Sequence, residues 1–141
     1  MKIIAISARE AEVAKFTTEH IAISIGTDKN IQLPPNEKRK GTLELLFDDL
    51  DTDKYPEEDF STILISNRKP RLFTTVMAKG ILAFVEDFPE TSIVINCEAG
   101  VSRSAGVAAA LSKIYLGDDQ NFFRTHCPNM RVYRMILNEY Y

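Results

Sequence analysis

Residues 93–104 constrain the fold of this chain more than any other stretch. A β-branched run at 93–95 ends just before Cys97, and five mostly small residues follow that cysteine. Arg103 then opens an Ala-rich segment that reaches about Leu116. Short Ile/Val runs favour buried strands, whereas Ala, Leu and Lys at helical spacing favour a helix. The pattern therefore predicts a strand, a tight loop and a helix, with Cys97 at the start of the loop.

A loop of small residues that leads into a helix is suited to binding an anion. Its backbone N–H groups converge, and the N-terminus of the helix carries about +0.5 charge. The same field favours a thiolate over a thiol at Cys97. Arg103 adds a planar donor fork that matches two phosphate oxygens, and Gly100 lets the backbone approach the anion closely. A hydrogen bond from Ser104 to the sulfur completes a predicted site with a nucleophile, an oxyanion cradle and a clamp.

The octapeptide from Cys97 to Ser104 resembles the signature loop, Cys-x5-Arg-Ser/Thr, of the cysteine-dependent protein tyrosine and dual-specificity phosphatases. Its Ala-Gly-Val-Ser-Arg-Ser core is most similar to that of the compact dual-specificity members and their bacterial and phage relatives. The resemblance implies phosphomonoester hydrolysis through a phosphocysteine, with Cys97 as nucleophile and Ser104 assisting the thiolate. The implied phosphate loop comprises Glu98, Ala99, Gly100, Val101, Ser102 and Arg103. One position departs from the family, which has His before the cysteine where this chain has Asn96.

A second stretch supplies candidates for a general acid. A strand predicted at 42–47 is followed by Asp48, Asp49 and Asp51. Cleavage of a phosphate ester needs a proton for the leaving oxygen, and ligands of open α/β sheets bind beyond the carboxyl ends of the strands. The resemblance places the acidic Asp of the family on such a loop. Asp49 is the first choice, with Asp48 and Asp51 as alternatives.

The remaining pattern alternates strands with helices. Strands are predicted at 2–6, 20–25, 42–47 and 93–95, and a polar loop at 28–41. Helices are predicted at 8–16 with Ser7 as N-cap, 56–65, 74–88, 103–116 with Gly117 as C-cap, 118–125 and 129–140. Long β-α-β spacing favours parallel pairing. The expected fold is α/β, a central, mainly parallel sheet of about four strands with helices on both faces, as the resemblance also implies.

Composition limits the broader class of protein. The 141 residues fit one domain, 1–141, and the net charge of −3 argues against a general nucleic-acid binder. Two cysteines make no disulfide framework, and no long apolar run is present, so we expect a cytoplasmic monomer with no membrane association. The expected partner is a phosphorylated protein, without cofactor or metal, since the His126-Cys127 pair lacks further ligands nearby in sequence.

Several alternatives remain open at this stage. A rhodanese-type sulfurtransferase has a shorter Cys-to-Arg spacing, and an arsenate reductase or low-molecular-weight phosphatase has its loop near the N-terminus. A phosphate-binding pseudophosphatase is the alternative that Asn96 favours. RNA 5′-phosphates or phosphoinositides are alternative substrates. The basic residues at 38–40 and 68–71 are interpreted as exposed turns, with substrate contact as the alternative.

Overall fold

A parallel β-sheet forms the centre of the molecule. The computed structural model describes residues 1–56 and 67–141. Its strands are β1 (Ile3–Ser7), β2 (His20–Gly26), β3 (Arg39–Leu46) and β4 (Ser92–Cys97). They lie in the order β1-β4-β2-β3, and every pair is parallel. All carboxyl ends therefore meet at one edge, where β4 delivers Cys97 beside the ends of β1 and β2.

The helices are α1 (Ala8–Val13), α2 (Thr75–Glu86), α3 (Arg103–Leu116), α4 (Gln120–Thr125) and α5 (Met130–Tyr140). Ser7 caps α1 in a reciprocal capping box with Glu10, and Gly117 ends α3 with a left-handed φ of 76°. Both caps confirm the sequence prediction, because each residue type satisfies backbone groups that a helix end leaves unpaired.

The two faces of the sheet are covered unequally. Alternate residues of β2 and β4, among them Ile23 and Ile95, are fully buried in one core with α2, α3 and α5. The opposite face carries Ala22, Val94 and Asn96, which line a cavity of about 290 Å³ together with residues of α1. Helices lie on both faces, as predicted, but the main core is on the α3 side.

The largest differences from the predicted boundaries are at the end of α1 and at the start of β3. Helix α1 stops at Val13 rather than 16, because Ala14 turns to an extended conformation. Strand β3 begins at Arg39, inside the predicted loop, because it pairs with the start of β2 across an irregularity. The helix predicted at 56–65 falls on residues that, but for the first, lie outside the described part of the chain. Within the described ranges, no helix is both long and apolar enough to cross a membrane.

Candidate active site

The loop between β4 and α3 forms the base of the candidate site. Gly100 has φ 74°, and a Cβ added there would lie 2.4 Å from the backbone nitrogen of Ser7. The neighbouring backbone is also tied to this loop, because Ala8 N–H donates to the carbonyl of Glu98 at 3.2 Å. A side chain at position 100 is excluded both by conformation and by space. Glycine is therefore required for the loop to curl against the end of β1.

Cys97 lies at the bottom of this loop, and 2% of its surface is exposed. The Ser104 hydroxyl is 3.1 Å from its Sγ atom, and the backbone N–H of Gly100 donates to the same sulfur at 3.2 Å. Two donors at this position stabilise negative charge on sulfur. The loop thus brings together the cysteine and the serine that the sequence singles out.

Arg103 is held by the ends of the two neighbouring strands. Its Nη1 donates to the carbonyl of Phe47 at 2.7 Å and to the hydroxyl of Thr27 at 3.0 Å, and its side chain is buried. Among the described residues, its hydrogen bonds all leave from Nη1, so Nε and Nη2 keep their donors for an anion. This anchoring by Thr27 and Phe47 was not predicted, because both partners lie more than 50 positions away in sequence.

A cavity of about 500 Å³ opens above the sulfur. Its walls come from three places in the chain: the end of β2, the acidic stretch after β3, and the loop after β4. The lining residues are Thr27, Asp48, Asp49, Leu50, Cys97, Glu98, Ala99, Val101, Ser102 and Arg103. The cavity joins the predicted nucleophile, the predicted clamp and two of the three candidate acids in one concave surface.

Asp49 is bound to the loop it faces. Its Oδ1 accepts from the Ser102 hydroxyl at 2.7 Å and from the Asn129 amide at 3.0 Å. Asn129, which the sequence indicated only as the start of the last helix, also donates to the carbonyl of Leu50 and caps α5 through the N–H of Val132. Asn129 therefore links the acidic stretch, the phosphate loop and α5.

Asp48 makes a different set of hydrogen bonds. It is buried, and its two oxygens accept from Arg68 at 2.8 and 2.9 Å, while the backbone N–H of Arg71 donates to it at 2.6 Å. The hydrogen bond from Arg68 holds the pKa of this carboxyl below its usual value, against the opposing effect of burial. Asp48 is therefore a structural anchor rather than a proton donor.

Asp51 is also used structurally. One of its oxygens accepts from the backbone N–H of Met130 at 3.0 Å, and the other accepts from that of Asp53 at 2.9 Å. These bonds fix the start of α5 against the acidic stretch. Of the three candidate acids, Asp49 alone lines the cavity and accepts no such anchoring bond from a backbone N–H group of residues 1–56 or 67–141.

The basic residues after position 66 have a role that the sequence did not indicate. Arg68 bridges Asp48 and Asp28, and Arg71 donates to the carbonyl of Thr27 at 3.1 Å. They brace the back of the acidic stretch; Arg71 is exposed, as predicted, whereas Arg68 is half-buried. In the 38–40 run, Lys40 pairs with Glu19 at the surface, 3.5 Å away.

Asn96 is on the opposite face of the sheet from Cys97. Its amide donates to the hydroxyl of Ser24 at 3.0 Å, and its buried Oδ1 has no hydrogen-bond partner in the described part of the chain. Successive strand residues point to opposite faces, so the Asn96 side chain does not take the place of a group in contact with the sulfur. Within the described ranges, no group of three or more His, Cys, Asp or Glu side chains is arranged to hold a metal.

No family model and no curated protein sequence matches this chain. Solved structures do match it. The human tyrosine phosphatase-like serine/threonine/tyrosine-interacting protein is 17% identical over 98% of this chain and 89% of its own, with a TM-score of 0.60. Tk-PTP in its active form is 12% identical over 98% and 92%, with a TM-score of 0.56.

A third match is a mouse protein assigned as a dual specificity phosphatase and complexed with zinc tungstate. It is 17% identical over 94% of this chain and 78% of its own, with a TM-score of 0.52. The chain therefore has the α/β fold that tyrosine and dual-specificity phosphatases share. This fold agrees with the resemblance that the octapeptide carries.

Proposed function

We propose that this chain is a cysteine-dependent protein phosphatase of the tyrosine or dual-specificity type. The observation that carries the proposal is the set of groups around the sulfur atom of Cys97. Cys97 Sγ has donors from Ser104 and Gly100 at 3.1 and 3.2 Å, with Arg103 in the same cavity. A nucleophile, charge-stabilising donors and a carboxyl at the rim are the groups that a phosphoryl transfer through a covalent intermediate requires.

In the first step, the Cys97 thiolate attacks phosphorus. The S–P bond forms as the P–O bond to the leaving group breaks, while Arg103 and the N–H groups of the loop hold the equatorial oxygens. Asp49 gives its carboxyl proton to the leaving oxygen. Both hydrogen bonds that Asp49 accepts from the described residues end on Oδ1, so we assign this proton to Oδ2.

In the second step, a water molecule attacks the phosphocysteine. Asp49, now a carboxylate, takes a proton from the water as the new P–O bond forms and the P–S bond breaks. Ser104 and the Gly100 N–H stabilise the departing thiolate. Inorganic phosphate leaves, and Asp49 is protonated again for the next turnover.

The proposed substrate is a phosphorylated protein, acted on by a monomer in a reducing cytoplasm, where a thiolate persists. The testing experiment is hydrolysis of p-nitrophenyl phosphate by the wild type and by Cys97→Ser. We expect turnover in the wild type and a loss of at least about 10⁴-fold in the variant. Cys127→Ser is the matched control, because Cys127 is an exposed free thiol, and its turnover should stay near wild type.

A second candidate function is binding of phosphorylated partners without turnover. Asn96 in place of the family's His favours it, as does the likeness to a phosphatase-like interacting protein. Vanadate binding followed by calorimetry separates the two candidates. Tight vanadate binding by a wild type that hydrolyses no aryl phosphate would overturn the enzyme and support the binding module.

A further inference from the structure

A second cavity, of about 510 Å³, adjoins the phosphate cavity. The two cavities share three wall residues, Asp49, Leu50 and Ser102. A phosphate group above Cys97 would therefore leave the rest of its substrate at the entrance to this second space. We propose that the second cavity binds the side chain next to the phosphorylated residue of a peptide, and that it selects a bulky apolar side chain. The proposal rests on the proposed function.

The outer wall of this cavity is an exposed aromatic ring. Phe123 is 42% exposed although it is large and apolar. It packs edge-on against Tyr133 with ring centroids 5.3 Å apart, and the Tyr133 hydroxyl is bonded to Asp119. An aromatic ring fixed in this way offers its open side to a ligand at little entropic cost.

The floor of the cavity is fixed relative to the phosphate loop. Cys127 N–H donates to the carbonyl of Val101, and Asn129 N–H donates to that of Ser102, both at 3.0 Å. The floor residues Pro128 and Met130 are next to these anchors in sequence and line the cavity. Two backbone hydrogen bonds therefore join the segment that carries the floor residues to the loop that follows Cys97.

The charges around the cavity argue against a second phosphate group. Lys54 and His126 are its basic lining residues, and the Asp51 carboxylate lines the same cavity. The lining residues therefore include no cluster of cations that could balance additional phosphate groups. A polyphosphate chain or a multiply phosphorylated inositol would find no net positive charge there, whereas a neutral apolar side chain needs no counter-charge. The occupant is accordingly a peptide side chain.

The test uses phosphotyrosine peptides with an all-Ala background and a single Phe or Glu on either flank. Binding is measured by fluorescence polarisation with Cys97→Ser, so that the result does not depend on turnover. We expect Phe on one flank to tighten binding about tenfold relative to Ala, and Glu to give no gain. The same order should appear in kcat/KM of the wild type, chiefly through KM.

Two variants test whether Phe123 causes the preference for the peptide with Phe. In Phe123→Ala, the peptide with Phe should bind at most about twofold more tightly than the all-Ala peptide. In Phe123→Lys, the preference should shift towards the peptide with Glu. Tyr140→Ala is the matched control, since Tyr140 is 44% exposed at the far end of α5 and should keep the wild-type ratio. Circular dichroism of each variant checks the fold. Because Phe123→Lys is expected to gain a preference for Glu, its result cannot be explained by a loss of folding.

The failures of the two proposals are distinguishable. Equal binding of all peptides, with p-nitrophenyl phosphate still hydrolysed, would overturn the subsite and leave the phosphatase. A Phe preference in binding without any hydrolysis would keep the subsite and overturn the enzyme. Preference for a 5′-phosphorylated oligonucleotide over every peptide would overturn the peptide assignment.

Discussion

The phosphate loop at 98–102 and the acidic stretch at 48–53 line the same cavity, but they are held in different ways. The two donors to the Cys97 sulfur come from three and seven residues away along the chain. The carboxylates opposite are held by partners far away. Arg68 is 20 residues from Asp48, and Ser102 is 53 residues from Asp49.

This difference separates a local motif from a tertiary one. The two donors to the sulfur come into place when β4, the loop and α3 form, since both belong to one strand-loop-helix unit. The acidic stretch takes its shape only when the segment after residue 66 and the start of α5 are in place. Substitutions of the side chains that contact the sulfur should therefore affect chemistry, whereas substitutions in the acidic stretch should affect either chemistry or stability, depending on the carboxylate.

After Cys97→Ser, the largest expected effect is that of Arg103→Lys. A lysine lacks the planar fork and cannot both donate to Phe47 and hold two phosphate oxygens. We expect kcat for p-nitrophenyl phosphate to fall roughly 10³-fold. Arg124→Lys is the control, because Arg124 bonds to Gln120 at the surface of α4. Equal rates for the two variants would remove Arg103 from the proposed mechanism.

Gly100→Ala tests how tightly the phosphate loop is held. The added Cβ would meet the backbone of Ser7 and Ile6 at 2.4–2.8 Å, and φ would remain at 74°. We expect a loss of about 3 kcal/mol in the free energy of unfolding from overlap and backbone strain together. Gly117→Ala shares the strain but has open space, so about 1 kcal/mol is expected. Urea unfolding measures both, and similar losses would contradict the close approach to β1.

Asp49→Asn removes the proposed acid. We expect kcat to fall roughly 10²-fold and the basic limb of the pH profile to disappear over about pH 5–8. Asp53→Asn is the matched change on the same stretch, because Asp53 pairs with Arg134 at the surface and should keep both rate and profile. A retained basic limb in Asp49→Asn would assign the proton to another group.

Asp48→Asn should act on stability instead. Loss of the bonds to Arg68 and to the backbone of Arg71 should cost about 2 kcal/mol at neutral pH. Arg68 lowers the pKa of Asp48 in the folded state, so this stabilisation is present above the unfolded-state pKa near 3.8 and is lost as the pH falls through the lower folded-state pKa.

Urea unfolding at neutral pH and near pH 3 measures this change. The difference between wild type and Asp48→Asn should be largest at neutral pH and should shrink in acid. Asp28→Asn is the control, because Asp28 bonds to the same guanidinium from an exposed position and should cost less. A constant difference at both pH values would show that the Asp48 carboxylate charge does not stabilise the fold.

The smallest expected effect is that of Ser102→Ala, which removes the direct bond between the two loops. Asn129 still holds Asp49, so we expect kcat to fall only about fivefold, by loss of one hydrogen bond. Ser102→Thr keeps the hydroxyl and should restore most of the rate. Failure of Thr to rescue would mean that the hydroxyl does not position Asp49.

The sequence by itself determined the strand, loop and helix around Cys97, the cap at Ser7 and the alternation of strands with helices that favours a parallel sheet. Each of these depends on residues close together in the chain, where periodicity, small residues and capping side chains determine the local structure. Strand β3 was less well predicted, because its first residues join the sheet by pairing with β2 rather than by their own propensity.

The tertiary structure alone decided how three neighbouring carboxylates divide their roles. Asp48, Asp49 and Asp51 are alike in the sequence, but they meet Arg68, Ser102 and Met130 respectively. The same holds for the apolar subsite, whose ring at Phe123 and floor at Pro128 come from a segment far from the loop in sequence. Hydrogen bonds and burial determine whether a carboxyl group can serve as a proton donor or as a structural anchor. The partners that supply them lie 20 to 80 residues away and become neighbours only when the chain folds.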